Sequence, residues 1–170
     1  MCENIILIGM PGAGKSTVGV LLAKSAAYDF LDTDLVIQKQ QGMPLQQIID
    51  SYGIEDFLKK EEKALLSVDC TKTVIATGGS AIFSEKGMEH LKKNGVCVYL
   101  KVDEQELIHR LTNIKTRGIA CKKGETVADI IAERSAFYEK YADITVQCGS
   151  DPAESTVESI MNKLVEPIRL

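Results

Sequence analysis

Residues 9–16 read Gly-Met-Pro-Gly-Ala-Gly-Lys-Ser, a complete match to the spacing Gly-x-x-x-x-Gly-Lys-Ser/Thr. Glycines let such a loop curl until successive backbone N–H groups point inward, and a following helix adds its partial positive charge. That arrangement holds phosphate. Lys15 is placed to reach the β- and γ-phosphates of a nucleoside triphosphate, and the Ser16 hydroxyl to ligate Mg²⁺. A second charged feature lies further along. Between Leu107 and Gly124 there is no acidic residue, and there are five basic ones: Arg110, Lys115, Arg117, Lys122 and Lys123. Alone, this segment reads as a solvated basic loop. Beside a phosphate cradle it reads as a lid, about residues 112–124, that closes over polyphosphate.

These groups need elements to position them. Residues 4–8 form a short apolar run that reads as a buried strand leading into the loop. Val18, Leu21, Leu22, Ser25 and Ala26 then mark one face of a helix. Further strands are predicted at residues 73–76, 96–102 and 144–148. Helical patterns lie near residues 34–41, 45–51, 54–68, 84–93, 103–112 and 125–140. Val157, Ile160, Met161, Leu164 and Val165 make an amphipathic closing helix. Strands alternating with helices imply βαβ units, hence an α/β fold with a mostly parallel sheet and helices on both faces. No repeat or linker interrupts the pattern, so residues 1–170 read as one domain.

Composition narrows the partners. The chain has 170 residues, a formal charge of −4, nine Phe and Tyr and no Trp. An acidic chain poor in aromatics is a weak candidate for nucleic-acid binding. No stretch approaches the ~20 apolar residues of a membrane span, and the apolar start, with an acidic leader, does not read as a signal peptide. The five cysteines are an odd number with no pair closer than 24 residues, which argues against a CxxC site and a disulfide framework. Cys97, inside an apolar run, reads as core. His90 and His109 have no neighbours at metal-ligand spacing and read as solvated helix residues. A cytoplasmic monomer acting on a small-molecule substrate is the expectation.

Beyond the loop, the chain resembles the shikimate kinase family of P-loop kinases over nearly its whole length. The residues that carry the resemblance are Gly14 to Gly19, Leu31-Asp-Thr-Asp34, Gly42, Ile48, Gly53, Phe57, Glu61, the Gly78-Gly79 pair, Arg110, Arg117, Arg134, Tyr138 and Ala142. The resemblance implies a P-loop three-layer sandwich with a five-stranded parallel sheet and a lid. It also implies ATP- and Mg²⁺-dependent phosphorylation of a hydroxyl on a small ring acid, shikimate giving shikimate 3-phosphate. Gly12, Ala13, Gly14, Lys15, Ser16, Thr17 and Arg110 would bind nucleotide, Arg110 on or near adenine. Ser16 and Asp32 would hold Mg²⁺, the latter through water. Asp34 would orient the attacking hydroxyl and take its proton; Gly78, Gly79 and Arg134 would bind the acceptor, Arg134 gripping a carboxylate. Lys15 and Arg117 would stabilise the transferring phosphoryl. Other readings of single residues stay open: a helix N-terminus for the two aspartates, and a surface ion pair for Arg134.

Three positions depart from the family pattern. Leu58 stands where an Arg should follow Phe57, Ser80 replaces the third glycine, and the lid reads Arg117-Gly-Ile-Ala120 in place of Arg-Pro-Leu-Leu. Phosphoryl-transfer parts are kept and acceptor-binding parts are altered. Two outcomes follow for Leu58. Either one carboxylate clamp is lost beside a Glu61 that keeps its charge, or Leu58 joins Phe57 and Leu65 in the core while Lys59 or Lys60 supplies the charge. Two alternatives to shikimate phosphorylation therefore stand: a kinase of a different small alcohol or sugar acid, and a non-catalytic nucleotide-binding regulatory module.

Overall fold

The computed structural model describes residues 3–111 and 119–165. Five parallel strands, β1 (Asn4–Ile8), β2 (Asp29–Asp32), β3 (Thr73–Ala76), β4 (Gly95–Val102) and β5 (Ile144–Cys148), form a sheet in the order β2-β3-β1-β4-β5. β1 sits at the centre, with Leu7 opposite Ala76 on one side and Val98 on the other. Both β1 and β3 are buried at every position. This is the signature of a parallel sheet covered on both faces and explains why these strands read as continuous apolar runs. β2 differs. It is an edge strand of sequence Asp-Phe-Leu-Asp, exposed or half-buried throughout, and its composition carries no strand pattern.

Among the described residues six α-helices lie between strands, α1 (Lys15–Ala26), α2 (Thr33–Gln41), α3 (Leu45–Leu66), α4 (Glu85–Lys92), α5 (Glu104–Leu111) and α6 (Val127–Tyr141), and α7 (Ala153–Val165) follows β5. α3 is broken at Gly53, which has φ 80° and ψ 170°, so the two helical patterns predicted there are two segments meeting at a kink. The α1 face differs from the predicted one. Lys15, Val18, Gly19, Leu22 and Ala23 are its buried residues, and Ser25 is exposed. Small residues let the helix sit close to the sheet: a Cβ at Gly19 would overlap the Phe30 ring. In α7, Val157 and Ile160 are buried as expected, whereas Val165, at the helix end, is 81% exposed.

The main core is built from β1, β3 and β4 with the helices that pack on them, and Cys97 lies fully inside it. A second, smaller cluster, Ile37, Leu45, Ile48, Phe57, Ala64 and Ala120, joins α2 and α3 to the chain just before α6. His90 is half-buried, with Nε2 2.8 Å from the Val68 carbonyl, so it ties α4 to the end of α3 instead of standing in solvent. Among the described residues no helix is long and apolar enough to cross a membrane.

Candidate active site

The chain leaves β1 at Ile8, passes through Gly9–Gly14 and enters α1 at Lys15. Gly14 caps α1 with φ 89° and offers no side chain to its first turn, and that turn contains no acidic residue. The first-turn N–H groups are thus left for an anion. Gly12, Gly14, Lys15, Ser16 and Thr17 line a cleft that opens to solvent. Ala13 does not; it is buried under the loop, and its N–H donates to the Met10 carbonyl at 3.0 Å. Lys15 Nζ folds back and donates to the carbonyls of Gly9 (2.6 Å) and Met10 (2.9 Å). Burial lowers its pKa from 10.5 to about 8, with the charge of Asp34 opposing the shift. The lysine stays cationic at neutral pH in a poorly solvated place, where its charge acts strongly on a phosphate.

Asp32 has two jobs at once. As the N-cap of α2, its Oδ1 accepts the Asp34 N–H at 2.9 Å; its Oδ2 accepts the Ser16 hydroxyl at 2.6 Å. The helix-capping reading of Asp32 holds, and the cap leaves its second oxygen beside Ser16. Two side-chain oxygens at the mouth of a phosphate cradle are the donor set that would suit Mg²⁺, which takes few protein ligands and fills its shell with phosphate and water oxygens. Among the described residues no cluster of three or more His, Cys, Asp or Glu is placed to hold a metal without such help. Asp34 lines the same cleft. Burial first, then the charge of Asp32, raise its pKa from 3.8 to about 6. It is ionised at pH 7 yet close enough to neutrality to receive a proton.

The opposite wall comes from the turn after β3 and from α6. Gly78 N–H donates to Thr33 Oγ1 at 3.1 Å, and the Tyr138 hydroxyl donates to the Gly79 carbonyl at 2.6 Å. A Cβ at Gly78 would overlap both Glu61 Oε1 and Asp34 Oδ1, so a side chain there would displace one or both carboxylates from that corner. Arg134, four residues before Tyr138 on α6, is 2% exposed. Its Nη2 donates to the Ala120 carbonyl at 2.5 Å, and its guanidinium lies 5.3 Å from the Phe83 ring centre. It is no surface ion pair. Ser80 Oγ donates to Glu61 Oε2 at 2.5 Å. Glu61 Oε1 and Arg134 Nε are the two buried side-chain polar atoms without a partner among the described residues. Both residues line the cleft.

The fate of Leu58 combines the two outcomes. It is half-buried and packs on the second cluster, not with Leu65, which belongs to the main core. Lys59 pairs with Asp56 at 3.3 Å in solvent, and Lys60 sits 4.7 Å over the Tyr52 ring. Neither lysine lines the cleft, so neither replaces the missing guanidinium. Glu61 does not simply keep its charge either. Burial raises its pKa to about 7, the Ser80 bond opposing, so about half of it is protonated at neutral pH. Arg110 lies at the rim, Nη1 donating to Gly12 O (3.2 Å), Nη2 to Gly149 O (2.6 Å) and Nε to Glu106 (2.8 Å). Arg117 and most of the expected lid, residues 112–118, lie outside the described residues; Ile119 and Ala120, on their far side, line the cleft. Sequence reasoning missed Thr33 as the tie to Gly78 and missed the pairing of Ser80 with Glu61. Each bond spans many residues, and the one available signal was that Ser80 replaces an expected glycine.

A parallel sheet whose central strand delivers a phosphate-binding loop, with a carboxylate and a buried guanidinium across one cleft, defines a P-loop protein of the nucleotide-binding class. The profile described as shikimate kinase matches residues 11–165. The chain is 34% identical over 164 residues to the shikimate kinase of Thermodesulfovibrio yellowstonii, covering 95% of this chain and 94% of that one. The solved shikimate kinase of Acinetobacter baumannii, in complex with shikimate, superposes with a TM-score of 0.88 at 29% identity, covering 97% of this chain and 94% of that one. A relative from Pongo abelii, threonine synthase-like 1, is 37% identical over 166 residues; these are 95% of this chain but only 22% of the relative's length. The chain belongs to the shikimate kinase family, phosphotransferases that act on a hydroxyl group.

Proposed function

We propose that this chain transfers the γ-phosphoryl group of ATP, with Mg²⁺, to a hydroxyl of a small hydroxylated acid. One observation carries the reading: a single cleft joins the phosphate loop and Lys15 to Asp34 on one side and to Arg134 on the other. In this reading Lys15 and the first turn of α1 hold the β- and γ-phosphates, and Arg110, whose N–H edge is occupied, offers its flat face to adenine. Ser16 and, through water, Asp32 would hold Mg²⁺, which would supply charge neutralisation at the phosphates. Asp34 accepts the hydroxyl proton as the acceptor oxygen bonds to the γ-phosphorus and the bond to the β,γ-bridging oxygen breaks, releasing ADP. Gly78 and Gly79 leave room for the acceptor, whose carboxylate pairs with Arg134. Arg117 would add positive charge to the transferring group.

Shikimate, giving shikimate 3-phosphate, is the family's own member of this acceptor class, and the Acinetobacter relative's bound shikimate supports it. Leu58 and Ser80 favour a second reading, a different hydroxylated acid, because the wall that would present two guanidinium groups presents one. ADP release from the full chain with ATP, Mg²⁺ and shikimate, compared with gluconate and other hydroxy acids, tests both. ADP release that no acceptor in the panel accelerates would refute the kinase reading and leave a nucleotide-binding module.

A further inference from the structure

We propose that the acceptor is zwitterionic: a small amino acid with a side-chain hydroxyl, its carboxylate on Arg134 and its ammonium on Glu61. The proposal rests on the kinase reading above and narrows its acceptor class.

Two buried atoms of opposite polarity wait in one cleft. Among the described residues, Arg134 Nε is a donor without an acceptor, and Glu61 Oε1 is an acceptor without a donor. Both residues are almost fully buried, at 2% and 1% exposure. Unpaired buried groups are costly, and a bound water, ion or ligand relieves the cost; these two sit in the wall of a cleft that a ligand can enter. No ion pair joins Glu61 to Arg134, so each pole is left for an outside partner. A ligand that satisfies both must present an anion at one end and a donor at the other.

Charge decides which donor. Lys15, Asp34, Glu61 and Arg134 line one cleft, two cations and two carboxylates, so their charges balance when Glu61 is ionised. Glu61 is about half protonated in the empty cleft, and an ammonium beside it favours the ionised form. A plain hydroxy acid adds another negative charge next to the phosphates of ATP. A zwitterion adds none, and its ammonium meets Glu61 where Leu58 leaves no guanidinium. Lys59 and Lys60 are engaged elsewhere. The neutral donor already present, Ser80 Oγ, occupies Oε2 and fixes the carboxylate so that Oε1 faces the corner at Gly78. Asp34 Oδ1 borders the same corner. An ammonium on Glu61 therefore brings a nearby hydroxyl of the same small molecule to Asp34. The transfer forms the O-phospho amino acid and ADP, with the hydroxyl proton passing to Asp34.

The test pairs acceptors that differ only in the ammonium. ADP release by the full chain is measured with L-homoserine against 4-hydroxybutyrate, with L-serine against 3-hydroxypropionate, and with shikimate. The expected result is a kcat/KM for at least one amino acid roughly 10- to 100-fold above its deaminated counterpart, the span of one charge-assisted hydrogen bond. Glu61→Gln should erase that preference by raising KM for the amino acid more than for its deaminated counterpart, so that the ratio of the two kcat/KM values falls to about one. If the variant does not fold, calorimetric titration of each pair into the unmodified chain makes the same comparison. Shikimate or a deaminated acid used as well as the amino acids overturns the proposal and leaves the kinase reading intact. ATP binding with no acceptor-dependent ADP release from any compound overturns both.

Discussion

Replacing Glu61 by Gln isolates the electrostatic cost of the acceptor site. Glu61 is buried at 1% exposure, and its pKa rises from 4.5 to about 7. Loss of hydration is the main cause; the Ser80 hydrogen bond opposes it, Asp34 adds to it, and Arg134 and Lys15 draw it back. Between pH 4.5 and about 7 the native chain holds a proton on Glu61 that the unfolded chain has released. Stability is therefore highest below that window and falls as pH rises through it, by about 1.4 kcal/mol per pH unit. The total loss is on the order of 3 kcal/mol, complete once Glu61 is ionised in both states. Gln keeps the shape, can still accept from Ser80, and has no such slope. Asp34, raised to about 6 by burial and Asp32, slopes the same way in both chains and largely cancels in their difference. The advantage of Glu61→Gln over the unmodified chain should thus grow by roughly 3 kcal/mol from pH 4.5 to pH 8, on top of any constant offset from altered hydrogen bonds. Urea unfolding followed by far-ultraviolet circular dichroism at four pH values in that range reads the difference directly. A stability difference that does not change with pH would refute the claim that the buried carboxylate carries this cost.

Four further outcomes are expected. Lys15→Met should lower turnover by at least ~10²-fold with an unchanged circular dichroism spectrum, since it removes a preorganised charge on the phosphates; near-normal steady-state rates would contradict its role. Arg117→Ala should lower kcat more than it raises the KM for ATP, as for a contact made mainly in the transition state, and equal losses would count against that assignment. Leu58→Arg, one turn before Glu61, should lower the KM for shikimate roughly 10- to 100-fold, and an unchanged KM would show that the departure at this position is irrelevant to acceptor choice. Tyr138→Phe leaves the Gly79 carbonyl without the donor it has at 2.6 Å and should cost about 1–3 kcal/mol in urea unfolding; a loss within error would mean that the carbonyl finds another partner.

What the sequence determined on its own is local. The loop from Gly9 to Ser16 is contiguous, its conformation is dictated by its glycines, and its place between a buried strand and a helix follows from adjacent residues. Four of the five strands and the helix–helix break at Gly53 were legible for the same reason. Tertiary structure alone decided the rest. β2, at the sheet edge, is exposed or half-buried at every position, so its sequence carries no apolar run of the kind that marks β1 and β3. The face of α1 follows from how closely Gly19 approaches Phe30, a fit that helical periodicity does not encode. Leu58 took a packing role while Lys59 and Lys60 turned to Asp56 and Tyr52, a choice among conformers that spacing cannot make. Above all, the charge state of Glu61 depends on lost hydration and on Ser80, Asp34, Arg134 and Lys15, four groups from four different parts of the chain. Residue type sets which proton a side chain can hold; only the folded surroundings set the pH at which it lets go.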